Sequence, residues 1–326
     1  MESKLFQIAK DGMATRFEFA LHGKPDSYLR SASEEALGEI SRVEKALNYY
    51  SPSSEISQIN REATDGWLKI NPETFHLISH CIEISEKTRG LFDIAVSPLI
   101  KMWNKAKASD SMPSDAQIES HLEYSNSKII ELNNNNYSIR FLHPHAEINL
   151  GSIGKGFALQ LAFEILQDLE VPCGLIQGGT SSIIAWGQSP ENKPWKIAIQ
   201  KPSTTKEYSS FQQEELIDPG NENQFLTIES LDNISLSVSS IYGRGFTIEG
   251  HYLGHVIDPK SGRPANLAQL SSIKHRNCSL SDALSTALLV GGPQMITDIE
   301  EYYETANGIL LMDDETPHIS FPTGSE

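Results

Sequence analysis

Cysteine is scarce in this sequence. Only three cysteines occur among 326 residues, Cys81, Cys173 and Cys278, and they lie far apart in the chain. An odd number of widely spaced cysteines provides neither a disulfide framework nor the paired spacing of a zinc site. We therefore interpret all three as reduced, structural thiols.

Basic residues are also few. The chain has 26 lysines and arginines against 43 aspartates and glutamates, which gives a net charge of −17. Non-specific binding to nucleic acid or to an anionic membrane needs a basic face, so this balance argues against both partners. If such a protein handles a phosphate, it must do so locally, with a metal ion, backbone amides or a few well-placed cations.

Long apolar runs are missing as well. No segment approaches the roughly 18 apolar residues of a membrane-spanning helix. The opening segment MESKLFQIAKDGMATRF has neither the apolar core nor the small-residue cleavage site of a signal peptide. We expect no membrane span and a cytoplasmic protein as the sequence stands, or an exported one if a leader has been removed. Hydrophobic residues still make up 39% of the chain, enough for a sizeable core.

Helical and strand patterns mix along the chain without a regular βαβ alternation. Alternating residues predict a strand over 13–22, and apolar residues at helical spacing predict a helix over 31–48, with Ser33 and Glu34 as its start signals. Residues 202–224 are poor in hydrophobic side chains, which predicts a surface loop or insertion. We expect one α+β domain or two closely packed lobes.

A glycine-rich stretch, NLGSIGKG (149–156), separates an apolar run from a helical pattern. Its spacing, GxxGxG, matches neither the Rossmann nor the Walker fingerprint. Glycine lets a ligand approach the main chain closely, and the start of the following helix offers N–H groups that suit a phosphate. Lys155 would add a positive charge. The alternative is a tight strand-to-helix turn that binds nothing.

A histidine and an aspartate stand three residues apart in GHYLGHVIDPKSGRPA (250–265). We expect a strand to end over His255–Asp258 and a turn to follow over 259–262. A histidine at the mouth of a strand can act as a general base near neutral pH. The two side chains need not face the same way. The alternative is a structural histidine.

A third stretch, CSLSDALSTALLVGG (278–292), predicts a helix capped by Ser279 or Ser281, with Asp282 in its first turn. Asp282 and Thr286 are four residues apart and therefore share a helical face, with Ser285 beside them. Their oxygens could bind a hard cation such as Mg²⁺. The alternative is a capping aspartate and a threonine bonded back to its own helix.

Seven short motifs occur in an order that is typical of one enzyme family. They are MAT (13–15), SPSSEISQIN (51–60), GLFDIAVSPLIKMW (90–103), NLGSIGKGF (149–157), GGT (178–180), HVIDPKSGRP (255–264) and DALSTAL (282–288). In this series the sequence resembles the ApbE family, the FAD:protein FMN transferases, over nearly the whole chain. Seven motifs in family order are far more specific than any one of them.

The resemblance implies an α+β fold over residues 1–326, in which an antiparallel sheet with packed helices (the ApbE or T-fold-like arrangement) surrounds an FAD pocket. It implies FAD as the substrate and Mg²⁺ as the cofactor. FMN would pass to a threonine or serine hydroxyl of an acceptor flavoprotein, and AMP would be released. The oligomeric state does not follow from the resemblance.

The resemblance also implies the roles of individual residues. His255 would be the catalytic residue. The metal would be held by Asp282, Ser285 and Thr286 and by the main-chain carbonyl of Ser152. The flavin nucleotide would contact Met13, Tyr50, Leu91, Phe92, Asp93, Asn149, Lys155 and Ile257.

Several positions depart from the family pattern. Asn149 and Thr180 stand where acidic residues are usual, and SVSSIYGR (237–244) lacks the usual T-S-G, for which Ser239 and Ser240 could partly substitute. Binding of FAD would survive these changes more easily than catalysis. Two alternatives to transfer therefore stay open: a protein that binds FAD without transferring FMN, and a pyrophosphatase that hydrolyses FAD to FMN and AMP.

Overall fold

The computed structural model describes residues 4–202, 225–243, 245–312 and 318–322. The surface loop predicted over 202–224 lies outside the described residues, apart from its first residue. None of the described helices combines the length and the apolar character that crossing a bilayer requires.

The described residues form strands from one end of the chain to the other. In chain order the strands are β1 (Phe6–Gly12), β2 (Thr15–His22), β3 (Leu68–Lys69), β4 (Ile130–Asn133), β5 (Ser138–Phe141), β6 (Cys173–Gly178), β7 (Ser182–Trp186), β8 (Trp195–Gln200), β9 (Phe225–Leu231), β10 (Ile234–Ser240), β11 (Phe246–Ile248), β12 (His251–Leu253), β13 (Leu270–His275), β14 (Asn307–Leu311) and β15 (Ile319–Phe321).

The helices follow the same order. They are α1 (Asp26–Leu47), α2 (Glu55–Glu62), α3 (Pro72–Lys87), α4 (Ser97–Ser109), α5 (Asp115–Leu122), α6 (Gly154–Asp168), α7 (Cys278–Gly291) and α8 (Pro293–Tyr302). A short 3-10 turn covers Ser127–Ile129.

Within the described residues, eight strands form one large sheet in the order β1-β2-β6-β7-β10-β13-β14-β15. Every neighbouring pair in this sheet is antiparallel. Two hairpins, β8–β9 and β11–β12, and the small sheet β3-β5-β4 accompany it. The predicted α+β fold with an antiparallel sheet and packed helices is confirmed. A division into two lobes stays a prediction.

The main core lies between one face of the large sheet and the helices α1, α6 and α7. Phe17, Phe19 and Leu21 of β2 are buried there with Leu159 of α6 and Leu284 of α7. The opposite face packs against the β8–β9 hairpin in a second core. A third, smaller core joins α4, α5 and the β11–β12 hairpin.

Two element boundaries near the start of the chain differ from the prediction. Helix α1 begins at Asp26, directly after Pro25, and Ser33 is a buried residue inside the helix rather than its start. The predicted strand 13–22 begins only at Thr15, because Met13 and Ala14 form a turn with φ of 50° and 55°. This turn joins β2 to β1, a strand that the sequence patterns did not reveal.

Helices α6 and α7 approach each other closely where α6 begins. A Cβ atom placed on Gly156 would lie 2.3 Å from the carbonyl oxygen of Cys278 and 2.7 Å from Cβ of Asp282. The carbonyl oxygen belongs to the backbone, so no side-chain rotation relieves the clash. Glycine is therefore required at this position for the two helices to meet.

Replacing Gly156 with alanine is expected to destabilise the fold by about 1–3 kcal/mol, the usual cost of overpacking a rigid contact. Gly38→Ala is the matched control, because Gly38 lies within α1 and a Cβ atom there would have nothing within 4 Å. That variant should gain about 0.5–1 kcal/mol from helix propensity. Urea unfolding curves measure both, and an unchanged midpoint for Gly156→Ala would contradict the close approach.

Candidate active site

A cleft of about 590 Å³ opens where several distant segments of the chain meet. These segments include the turn between α3 and α4, the loop before α6, the turn between β6 and β7, the end of β10, the bend after β12, and α7. Ten of the residues predicted for the site line this cleft: Leu91, Phe92, Asp93, Asn149, Ser152, Lys155, His255, Ile257, Asp282 and Thr286.

Three predicted site residues are not in the lining. Met13 lies in the β1–β2 turn, where its backbone N–H donates to Oε1 of Glu44 at 2.6 Å. Tyr50 is 81% exposed and contacts the ring of Tyr49 edge to face. Ser285 is fully buried behind the cleft. The functional roles of all thirteen residues, these three included, stay predictions.

Asp282 is the acidic residue at the base of the α6–α7 contact, and it is only 4% exposed. Its Oδ2 accepts a hydrogen bond from the Gly156 N–H at 3.0 Å, and its Oδ1 accepts one from Oγ of Ser182 at 3.2 Å. Nζ of Lys155 lies 3.9 Å from Oδ2. Burial raises the pKa of the Asp282 carboxyl, and the positive charge of Lys155 and the two hydrogen bonds oppose that rise.

The start of α7 differs from the prediction. Asn277 caps the helix, because its Oδ1 accepts a hydrogen bond from the Leu280 N–H at 2.9 Å. The predicted serine cap is therefore wrong, and Asp282 lies beyond the first turn. Its carboxylate is thus used between helices and does not cap its own helix.

Thr286 has features of a metal ligand and also of a threonine that is bonded back to its own helix. Its hydroxyl donates to the carbonyl oxygen of Asp282 at 3.3 Å, the bond that a purely structural threonine would make. The same residue lines the cleft. Its Oγ1 also lies 3.4 Å from Oγ of Ser239. A hydroxyl oxygen that accepts few bonds keeps lone pairs for a cation.

The oxygen atoms around Asp282 fit a hard divalent cation. Asp282 contributes a buried carboxylate, Thr286 a hydroxyl, and Ser152 lies in the same cleft with its main-chain carbonyl. Among the described residues there is no group of three or more His, Cys, Asp or Glu that could hold a metal ion. A site with few protein ligands suits Mg²⁺, which usually keeps several waters.

The glycine-rich loop is a compact turn into α6. Oδ1 of Asn149 accepts a hydrogen bond from the Gly151 N–H at 2.8 Å, so an amide oxygen makes the contact that a carboxylate would make here. Helix α6 has no side-chain cap and no acidic residue in its first turn. Its Gly154 N–H donates to the carbonyl oxygen of Leu150 at 2.7 Å and its Gly156 N–H donates to Asp282, so Lys155 is the positive group that this helix start offers to a nearby anion.

His255 is exposed and lies in a bend two residues after β12, so the strand predicted over His255–Asp258 is wrong. Ile257 makes only an isolated bridge with Pro264. The predicted turn is present, since the Gly262 N–H donates to the carbonyl oxygen of Asp258 at 2.9 Å. Strand β12 ends at Leu253, and the bend that follows it places His255 in the lining of the cleft.

Both carboxylate oxygens of Asp93 accept hydrogen bonds from nearby residues. Its Oδ1 accepts from the Ala95 N–H at 2.8 Å, and its Oδ2 accepts from the Ser127 N–H at 2.8 Å and from Oγ of Ser85 at 3.1 Å. Burial raises the pKa of the Asp93 carboxyl, and these hydrogen bonds act against the rise. This aspartate therefore shapes the wall of the cleft with both oxygens in use.

Some lining residues were not singled out by the sequence patterns: Thr15, Val96, Ile100, Ser181, Val238, Tyr242, Gly243, Val256 and Pro259. Ser182 was also missed. One signal was available in ISLSVSS, where serine alternates with apolar residues over β10. In a strand this alternation places the hydroxyls on one face, and in this protein that face meets α7.

A family model described as the ApbE family matches residues 13–308. The chain belongs to the ApbE family. A relative from Haemophilus influenzae named FAD:protein FMN transferase is 26% identical over 326 residues, which cover 96% of this chain and 88% of the relative. A relative of the same name from Buchnera aphidicola is 30% identical over 265 residues, which cover 77% of this chain and 72% of that relative.

Solved structures of ApbE proteins share the fold. The ApbE protein of Thermotoga maritima superposes with a TM-score of 0.82 at 21% identity, covering 98% of each chain. Flavin transferase ApbE of Vibrio cholerae superposes with a TM-score of 0.78 at 19% identity, covering 98% of this chain and 97% of that one. The ApbE architecture is therefore kept while most side chains differ.

In this ApbE-family protein, Asp93→Asn is expected to lower stability by about 1–3 kcal/mol even without flavin. Whichever way the amide turns, its NH₂ group faces the N–H of Ala95 or Ser127 and leaves a buried donor unpaired. Asp65→Asn, at an exposed position, serves as control and should stay within about 0.5 kcal/mol of the parent. Thermal unfolding without ligand tests both, and equal stabilities would refute this role of Asp93.

Proposed function

We propose that this protein transfers FMN from FAD to a threonine or serine hydroxyl of an acceptor protein, releases AMP, and uses Mg²⁺. The observation that carries the proposal is the convergence of Lys155, His255, Asp282 and Thr286 on one cleft from three separate segments. Phosphoryl transfer needs charge neutralisation, positioning and a proton acceptor, and these groups can supply all three. The names of the family relatives support the same reaction.

The reaction exchanges one phosphorus–oxygen bond for another. The oxygen of the acceptor hydroxyl forms a bond to the phosphorus of the FMN half of FAD. The bond from that phosphorus to the bridging oxygen breaks, and AMP leaves with the bridging oxygen and the electron pair. The hydroxyl proton passes to the imidazole of His255, which the bend after β12 presents to the cleft.

The negative diphosphate of FAD needs positive groups within an acidic protein. Lys155, at the start of α6, lines the cleft, and its ammonium group would bind the diphosphate oxygens. Asp282, Thr286 and the carbonyl of Ser152 would hold Mg²⁺, with Ser285 behind them. When bound, the ion would neutralise charge on the diphosphate.

The flavin nucleotide would lie along the apolar wall of the cleft. Leu91, Phe92 and Ile257 supply that wall, and Asn149 stands at the start of the glycine-rich loop. Met13 and Tyr50 would reach the flavin by side-chain movement, for which the exposed position of Tyr50 leaves room. Asp93 would contribute mainly by fixing the shape of the wall.

The proposal is tested by incubating the full chain with FAD, Mg²⁺ and threonine-containing candidate acceptor domains. A mass gain of one FMN on an acceptor, with release of AMP, is the expected result, and in-gel flavin fluorescence identifies the labelled band. Asp282→Asn is the control, because it removes the charge of the metal ligand at nearly constant volume, and it should not label the acceptor. Free FMN and AMP would instead indicate a pyrophosphatase, and intact bound FAD a binding protein.

His255→Ala is expected to keep FAD affinity while slowing transfer by about 100-fold or more, the usual effect of losing a general base. His251→Ala is a matched control, since His251 is also exposed and lies at the start of β12, close to His255 in the chain but outside the cleft lining. Single-turnover labelling and fluorescence titration with FAD measure the two effects separately. Equal transfer rates for both variants would remove His255 from the mechanism.

A further inference from the structure

Serine hydroxyls fill the space between α7 and the strands beneath it. Oγ of Ser281 lies 3.0 Å from Oγ of Ser235 and 2.8 Å from Oγ of Ser237. One helical turn further, Oγ of Ser285 lies 2.8 Å from Oγ of Ser239. These bonds join the face of β10 to the face of α7 and fix the rotation of the helix. We call this set the hydroxyl layer.

Ser182, on the neighbouring strand β7, hydrogen-bonds through its hydroxyl to a carboxylate and not to another serine. Its hydroxyl lies 3.2 Å from Oδ1 of Asp282, and the side chain is fully buried. Among the described residues it is the only side-chain hydroxyl that hydrogen-bonds to this carboxylate. An ionised carboxylate can only accept, so Ser182 must donate.

The backbone holds Ser182 firmly in place. It is the first residue of β7, and it pairs with Gly178 across the β6–β7 turn and with Ser237 on the other side. The residue before it is held too, because the Val238 N–H donates to the carbonyl oxygen of Ser181 at 2.7 Å. A donor that two flanking strands fix in this way can fix its acceptor in turn.

We infer that Ser182 is a positioning residue for metal binding, whose hydroxyl orients the Asp282 carboxylate toward a cation in the cleft. The inference rests on the proposed function, which makes Asp282 a metal ligand. Ser182 holds Oδ1 while the Gly156 N–H holds Oδ2, so the carboxylate cannot rotate about its Cβ–Cγ bond without losing a hydrogen bond. Each oxygen keeps a further lone pair for the cation.

The test measures metal affinity directly on the full chain. Mn²⁺ serves as the probe, because electron paramagnetic resonance reports the free ion, and Mg²⁺ is then titrated as competitor. Loss of a partner that orients a metal ligand typically weakens metal affinity about 10-fold to 100-fold, which is the expectation for Ser182→Ala. Ser237→Ala is the matched control: it removes a buried hydroxyl from the paired position without touching Asp282, and it should change affinity less than about threefold.

The outcomes separate this inference from the function on which it rests. If Asp282→Asn loses Mn²⁺ binding while Ser182→Ala binds like the parent, the positioning role is overturned and the metal assignment stands. If Asp282→Asn also binds like the parent, the metal assignment itself is overturned. Equal weakening in Ser182→Ala and Ser237→Ala would assign the effect to the whole hydroxyl layer and would overturn the specific role of Ser182.

Two further measurements show whether weaker metal binding results from misfolding or from loss of the Ser182 hydroxyl. Thermal unfolding without metal is recorded for each variant, and Ser182→Thr, which keeps the donor, should bind Mn²⁺ nearly as the parent does. Ser182→Cys offers only a weak donor and should bind less tightly than Ser182→Thr. If Ser182→Ala does not fold, equal affinities of the Thr and Cys variants would overturn the inference. In transfer assays of Ser182→Ala, the Mg²⁺ concentration that gives half-maximal rate should rise by a larger factor than the factor by which the rate at saturating Mg²⁺ falls.

Discussion

The candidate site depends on one contact, the hydrogen bond from the Gly156 N–H to Oδ2 of Asp282 where α6 meets α7. The bond is possible because Gly156 has no side chain to separate the helices. Since α6 begins at the glycine-rich loop, the contact places this loop beside the buried carboxylate. Two motifs that lie more than a hundred residues apart in the chain thereby become parts of one cleft.

Burying a carboxylate raises the free energy of the folded state unless the carboxylate is hydrogen-bonded or paired with a cation. In this fold, neighbouring groups provide those interactions for Asp282. Gly156 and Ser182 donate to Asp282, and Lys155 lies nearby with the opposite charge. The chain as a whole carries a net charge of −17. Attraction for a diphosphate must therefore come from a few cations and amides in the cleft, because the overall field of the protein repels anions.

Local signals in the sequence predicted the fold class correctly, but they predicted the ends of the helices less well. The α+β class and the family were predicted correctly, since motif order and periodicity are properties of the sequence itself. The starts of α1 and α7 were predicted incorrectly. In α1, burial of Ser33 outweighed its preference for a cap, and in α7 the capping residue was Asn277, one position before the predicted stretch. Such competition is decided by packing.

The sequence by itself determined which residue types the cleft contains: a glycine-rich turn, an aspartate and a threonine one helical turn apart, and a histidine in a turn-forming segment. Only the tertiary structure decided how they are used. In the folded chain, Asp282 accepts hydrogen bonds from Gly156 and Ser182. The carboxylate of Asp93 accepts hydrogen bonds from backbone N–H groups such as that of Ala95. Tyr50 and Ser285 lie outside the cleft lining. The reason is physical, because hydrogen bonds and close contacts between distant segments depend on distances in space, and spacing along a chain does not fix these.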